Sequence, residues 1–576
     1  MDIKTIIVRD YLESLTESEE LDYIFPLFLE SQGFIILSKP TESRGLSQYG
    51  KDVVAVGNDF EDGIKKRFYF QLKGGEDKDI TSETFIRKKD GILESLREAK
   101  YRKFEFINKE HEKLPLKIVL VHNGELKMSV RDTFDGFVNT EFPKTETIKF
   151  DRWGISELTQ FFTEKFFGEF LLADKDVTKL FNKTLVNLEV EEKVSNNFEK
   201  LLDVLFANVT KGEYKRKLPR KWKMMFESLR LIAFIIYTES KNEYNNLDIA
   251  KRYLTRLVIR FWYWVLKNKL ETDKQITQYV DKVLDFYRLV LNEYFQRTLP
   301  IAQLKDGLFA ETGGRYEQVG YTFRTFEYLQ YLCWFLKLSP NKDVLKEHVR
   351  KFLIPVLNAN NVSIRPLIDI HSIPIIDTLK LLIETENEKS AENYLSGILF
   401  FLKLGKEKYN RFPDANNSKK NVVRFIATGE KAIDYSDSTS LLLAVLMEFM
   451  VILNIKNKYE EIKGFINKSK IDIEVFIPHH GINSSSKHLI KDKENDLEEQ
   501  LFSKYFFDDG YQCTINLHKN FGEDLSFEEF KEQIVLQKDE FTYEYRTDKA
   551  GYSCLKDLAH IYFRTPYFPD RWRCLF

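Results

Sequence analysis

Asp52, Gln71 and Lys73 are the residues of this 576-residue chain whose types and spacing best fit chemistry. Asp52 opens the strand-like run Asp52-Val53-Val54-Ala55-Val56, and Gln71-Leu72-Lys73 closes the aromatic run that begins at Arg67. Side chains alternate across a strand, so Tyr69, Gln71 and Lys73 share one face. Phe68, Phe70 and Leu72 share the other, which is expected to pack on a helix. A polar connection over residues 57–66 lets the chain fold back and set Asp52 beside Gln71. The outcome is a carboxylate and an amide carbonyl with an ammonium next to them. Such hard oxygen donors suit Mg²⁺, with Mn²⁺ as an alternative. A divalent ion there can orient a phosphate and activate water, and the lysine can hold that water and offset charge that builds in the transition state. The set therefore points to phosphodiester hydrolysis. A further acid is needed, and Glu17, Glu19, Glu20 and Asp22 lie just outside the apolar stripe of the preceding helical segment.

The elements that must position these residues are legible in the first 170 or so residues. Residues 17–31 predict an amphipathic helix, with Leu21, Ile24, Phe25, Phe28 and Leu29 on one face and Pro26 inside it. Gly33 fits the helix stop. Strands are expected over 34–37, 52–56, 67–73 and 116–122, with a further one near 147–150. Residues 82–108 read as mostly helical, and 155–167 as a last helix. This is an α/β order.

The stretches TESRGLSQYGKDVVAVG and RFYFQLKGG resemble the PD-(D/E)XK phosphodiesterase superfamily, in the Gln-x-Lys form of Mrr-type restriction endonucleases. Gly33-Phe34 matches the family's strand entry, and IVLVHNG over 118–124 resembles its next core strand and turn. The resemblance spans about residues 15–170. It implies metal binding by Asp52 and Gln71, a catalytic Lys73, and a helix acid that falls on Asp22 by spacing from Gly33, with Glu20 as runner-up. Lys51 stands where the superfamily's name would put Pro. Glu42 is another possible ligand. The implied fold is a restriction-endonuclease-like α/β/α domain followed by a large, mostly α-helical region, making an α+β multidomain chain.

Composition narrows the rest. Lys plus Arg is 87 against 89 for Asp plus Glu, so a uniformly basic coat is excluded and any nucleic-acid site must be local. Four cysteines without a CxxC pair fit reduced thiols in a cytoplasmic setting. The most apolar run, 441–455, contains Glu448 and is short for a bilayer, so no membrane partner is expected. Helical periodicity dominates from about residue 174, with the clearer segments at 185–207, 222–238, 247–270, 276–297, 316–338, 344–357, 391–404 and 438–457. The expected organisation is a nuclease-like domain over 1–172, a helical sensor, oligomerisation or partner-binding region over 173–480, a polar linker over 481–500, and a mixed segment over 501–576 packed on the helical region. Residues 211–223 (KGEYKRKLPRKWK) interleave basic and aromatic residues. Lys215, Arg216, Lys217, Arg220, Lys221 and Lys223 could follow a phosphate backbone while Tyr214 and Trp222 stack on bases. A solvated interhelical loop is the competing reading, and Arg252, Arg256, Arg260 and Lys267 extend the stripe or form a helix's polar face. His479, His480 and His488 lack zinc-like partners, and Gly313-Gly314 lacks the Lys of a P-loop. The tail at 567–576 docks on its own domain or on a partner.

The leading expectation is a Mg²⁺-dependent endonuclease acting on nucleic acid, with DNA the expected substrate. A nuclease joined to a helical sensor is by analogy the layout of an anti-phage effector. The alternative is a catalytically inactive nuclease fold that binds DNA or scaffolds a complex. A protein partner or a homo-oligomer would engage the helical region.

Overall fold

The computed structural model describes residues 3–39, 50–88, 91–143, 148–166, 175–189, 194–207, 218–311, 314, 316–473, 475–478, 512–515, 526–537, 546–564 and 570–576. Its chain divides into two compact units, Met1–Tyr253 and Leu254–Phe576. The expected boundary at 172 does not coincide with this division.

The first unit opens with α1 (Ile3–Ser14), a helix absent from the sequence expectation, followed by a wide π turn over Glu17–Leu21 that leads into α2 (Asp22–Ser31). The turn is wide because the Leu21 N–H reaches back to the Thr16 carbonyl at 2.9 Å. Pro26 lies inside α2 and supplies no N–H to the Asp22 carbonyl. Ile24, Phe25, Phe28 and Leu29 are buried as the spacing predicts. Gly33, at φ +81°, ends the helix, and the Phe34 N–H closes on the Leu29 carbonyl.

The chain then forms β1 (Ile35–Ser38), β2 (Val53–Asn58) and β3 (Lys65–Lys73), continues through α3 (Ser82–Ile86), α4 (Ile92–Tyr101) and α5 (Lys109–Glu112) to β4 (Leu116–His122), and proceeds through α6 (Met128–Glu141) to β5 (Lys149–Trp153) and α7 (Ile155–Lys165). The strands form one mixed sheet in the order β1-β2-β3-β4-β5. Pairs β1–β2 and β2–β3 are antiparallel, and β3–β4 and β4–β5 are parallel. The mostly helical stretch expected over 82–108 holds α3 and α4, and Gly91 starts α4 afresh while Arg102 leaves it in extended backbone. The α6 segment was not anticipated.

Two aromatic layers sandwich the sheet. On one face Phe68 and Phe70 meet Phe34 and Phe25, as the alternation requires, and Trp153 joins them. On the other, Tyr69, Ile118 and Leu120 share a core with Phe85, Leu96 and Phe134 from α3, α4 and α6. At one end of the sheet, buried Lys66 and Lys117 are neutralised by Asp59, Asp62, Glu61 and Asp151. Among the described residues the unit continues with α8 (Lys175–Val186), α9 (Asn196–Ala207) and α10 (Arg220–Asn242). The single helix expected over 185–207 is thus two segments. α10 packs against α1, and Arg230 pairs with Asp10 at 2.8 Å.

The division between the units falls inside α11 (Leu247–Lys267). The second unit continues with α12 (Lys274–Ala302), α13 (Glu317–Lys337), α14 (Lys342–His348), α15 (Ile354–Ala359), α16 (Ser372–Glu384), α17 (Glu388–Tyr409), α18 (Lys419–Thr428), α19 (Leu441–Ile452) and α20 (Lys456–Ser469). A two-stranded pair, β6 (Val475–Pro478) with β7 (Gln512–Ile515), precedes α21 (Phe527–Gln537), α22 (Arg546–Lys549), α23 (Ser553–Phe563) and α24 (Asp570–Arg573). The helix expected over 438–457 breaks at Asn454, which is left-handed at φ +56°. α19 is buried almost throughout, and its Glu448 is met by the chain's own tail. Trp572 Nε1 donates to Glu448 at 2.7 Å, and Arg573 grips both carboxylate oxygens at 3.1 and 2.8 Å. The tail thus docks within its own unit. Among the described residues no helix is long and apolar enough to cross a membrane.

Candidate active site

Antiparallel register places Val53 opposite Phe70, so Asp52, one residue earlier, falls beside Gln71. The Asp52 N–H donates to the Phe70 carbonyl at 2.9 Å, which fixes its backbone at the strand's entry. Its carboxylate Oδ2 accepts from Gln71 Nε2 at 2.7 Å and from the Leu72 N–H at 2.7 Å. Lys73 lies two residues on, at the end of β3. Its ammonium sits 3.4 Å from Glu17, which the π turn carries to this end of the sheet. Asp52, Gln71 and Lys73 are all buried. The cluster lies at the carboxyl ends of parallel β3 and β4, the usual place for a ligand site in such sheets.

The charges are unbalanced. Burial raises the Asp52 carboxyl to about 7, and the neighbouring charges of Glu17 and Asp22 push the same way. The Leu72 amide and Lys73 oppose them and lose. Burial also raises Glu17, against the pull of Lys73. Crowded carboxylates with a single ammonium among them form a site that a cation would relieve.

Residues here fit a divalent ion in donor chemistry. Gln71 Nε2 is committed to Asp52, and its carbonyl oxygen Oε1 is buried with no hydrogen-bond partner. An unsatisfied buried carbonyl costs free energy unless something binds it. Asp52 and Gln71 would hold the ion. Among the described residues no group of three or more His, Cys, Asp or Glu side chains comes together as a metal site, so any ion here depends on the amide oxygen.

The helix acids take different places. Asp22 begins α2, is buried, and lies close enough to influence both Asp52 and Glu17. Glu20 gives its Oε2 to the Thr16 N–H at 2.8 Å, an anchoring role within the turn. Glu17 is the acid paired with Lys73. The sequence offered it among several, whereas the resemblance put the helix acid on Asp22, which stands at the start of α2. Lys51 lies over the Tyr69 ring, 5.2 Å from its centre. Glu42 lies outside the described residues.

The approach of Glu17 depends on Gly74. A Cβ there would stand 2.7 Å from the Glu17 backbone nitrogen. Two donors tie the turn down from below: Asn123 Nδ2 donates to the Leu12 and Leu15 carbonyls at 2.7 and 2.8 Å, and the Gly75 N–H donates to Leu15 at 3.2 Å.

Features outside this cluster resolve differently. Tyr214, Lys215, Arg216 and Lys217 lie outside the described residues, and nothing is described of the Arg220 side chain. Lys221 is exposed and Lys223 half-buried. Trp222 is fully buried, so it packs in the core of the first unit instead of stacking on bases. Arg252 pairs with Asp248, and Arg256 and Arg260 lie over the rings of Tyr562 and Tyr263. His479, His480 and His488 also fall outside the described residues, and His371 is a core residue stacked on Phe326. Compared with protein-family models, curated proteins and solved structures, the chain matches none.

Proposed function

We propose that the first unit is a PD-(D/E)XK-type, restriction-endonuclease-like domain that hydrolyses nucleic-acid phosphodiester bonds, with DNA as substrate and a divalent cation as cofactor. The observation that carries this reading is the convergence of Asp52, Gln71 and Lys73, with a buried, unbonded amide oxygen beside a carboxyl raised to about 7. Mg²⁺ held there would polarise a phosphoryl oxygen and acidify a bound water. Asp52 and Gln71 would hold the ion. Lys73 donates hydrogen bonds to the attacking water and to the phosphoryl oxygen that gains charge. Glu17, 3.4 Å from the ammonium, restrains Lys73.

The test is cleavage of plasmid and single-stranded DNA, with RNA in parallel. Wild-type protein is expected to cut DNA with Mg²⁺ and to stop in EDTA. Lys73→Ala is expected to lose at least about a hundredfold in rate, the loss usual for a catalytic donor, with its circular dichroism unchanged. Cleavage that persists in Lys73→Ala and without metal rules the mechanism out. One observation favours a DNA-binding module with a silent site: Asp52 Oδ2 is already held by two donors. Salt-sensitive DNA binding without cutting would select that reading.

A further inference from the structure

The face of the sheet that carries Gln71 and Lys73 continues across β4 and β5, and its polar residues there are His122 and Arg152. Parallel register aligns Lys73 with His122, and aligns Gln71 with Leu120 and Leu120 with Arg152. Residues in register on neighbouring strands point the same way, so Gln71, Lys73, His122 and Arg152 share one face. Strands lie about 4.8 Å apart, which sets Arg152 about 10 Å from Gln71 along the sheet.

Arg152 is held in an unusual manner for a structural arginine. Its Nη1 meets His122 Nε2 at 2.9 Å, and His122 Nδ1 meets the Lys78 carbonyl at 2.9 Å. An arginine can only donate, so Nε2 accepts and Nδ1 carries the proton that goes to Lys78. His122 is fully buried, and burial lowers its pKa to about 4, which keeps the ring neutral. Among the described residues Arg152 forms no ion pair with a carboxylate. The nearby acid, Glu157, spends its Oε2 on the Gly154 N–H at 2.9 Å, and Asp151 faces the opposite side with Lys117 and Trp153. A half-buried guanidinium aimed by a neutral ring, in ion-pair contact with no carboxylate among the described residues, shares a sheet face with Gln71 and Lys73.

We propose that Arg152 is a substrate-positioning residue that binds a backbone phosphate of the nucleic acid flanking the scissile one, held in place by His122. This inference rests on the hydrolytic reading for its purpose, although phosphate binding itself needs no catalysis. Guanidinium recognition of a phosphate is bidentate and strong, and one ring contact leaves donors to spare. His122 removes rotational freedom from Arg152 without neutralising it.

Gly154 supplies an independent handle. A Cβ at this position would stand 2.6 Å from Arg152 Nη1 and 3.2 Å from His122 Nε2. Its φ of −85° suits any residue, so Gly154→Ala displaces the guanidinium without straining the backbone or removing charge.

The experiment measures binding of a fluorescein-labelled DNA duplex by anisotropy in EDTA across a salt series. Wild type is compared with Arg152→Ala, Arg152→Lys and Gly154→Ala. Arg152→Ala is expected to bind about fivefold to tenfold more weakly, with the slope of log affinity against log salt shallower by about 0.9, the signature of one lost phosphate contact. Arg152→Lys should restore the slope, which a loss of packing would not produce. Gly154→Ala should weaken binding in the same direction. Arg152→Ala that keeps wild-type affinity and slope overturns the proposal, as does absence of salt-dependent DNA binding in every form. Cleavage is scored separately with Mg²⁺. Wild type that binds as expected but never cuts sinks the hydrolytic reading alone, whereas wild type that cuts while Arg152→Ala binds unchanged sinks only the role of Arg152.

Discussion

Replacing Asp52 with Asn should stabilise the metal-free protein at alkaline pH, although it removes a proposed ligand. The carboxyl stands at about 7 in the fold against an ordinary value of 3.8. A raised acid means that the folded state holds a proton that the unfolded chain has released. Between the two values stability therefore falls as pH rises, and above about 7 the whole penalty is present. Each pKa unit corresponds to 1.36 kcal/mol, so the full shift is worth at most ~4 kcal/mol, and relaxation of the site brings the expected gain to about 2 kcal/mol. The Asn oxygen can still accept from Gln71 and the Leu72 N–H, so the geometry survives. Guanidinium unfolding of wild type and Asp52→Asn in EDTA at pH 5 and pH 8 measures the difference. The variant should gain at pH 8 relative to pH 5, and Mg²⁺ should raise the stability of wild type more than that of the variant. A variant that is destabilised equally at both pH values would show that Asp52 is a buried structural acid and would refute the argument.

Two further outcomes follow from contacts elsewhere. Gly74→Ala forces a Cβ against the Glu17 backbone at 2.7 Å, so the turn must move and cleavage should fall at least about tenfold while the helical signal persists. Arg573→Met leaves buried Glu448 without its cation and should cost about 3 to 5 kcal/mol, read as a lower midpoint of thermal unfolding; adding Glu448→Leu should recover part of it.

The sheet was readable because its strands are short aromatic and β-branched runs bounded by Gly and polar turns. Alternation alone put Phe68 and Phe70 on the face that meets Phe25 of α2 and Gln71 and Lys73 on the other, and the described register agrees. Asp52 beside Gln71 followed from the same logic. Glu17 owes its place beside Lys73 to a π turn, which apolar spacing does not reveal. The helical run over 438–457 is interrupted at Asn454, since apolar periodicity runs on through a break that left-handed backbone creates. α6 is hard to read from sequence because its charged and small residues dilute the stripe formed by Val130, Phe134 and Phe137. Arg152 and His122 stood out in neither type nor spacing, and only strand register brings them into line with Lys73.

Anomalous diffraction from crystals soaked in Mn²⁺ would examine the proposed centre most directly. A peak within bonding reach of both an Asp52 carboxylate oxygen and Gln71 Oε1, lost in Asp52→Asn crystals, is the predicted result. A clean map at that position, in crystals where Mn²⁺ occupies other acidic sites, would contradict it.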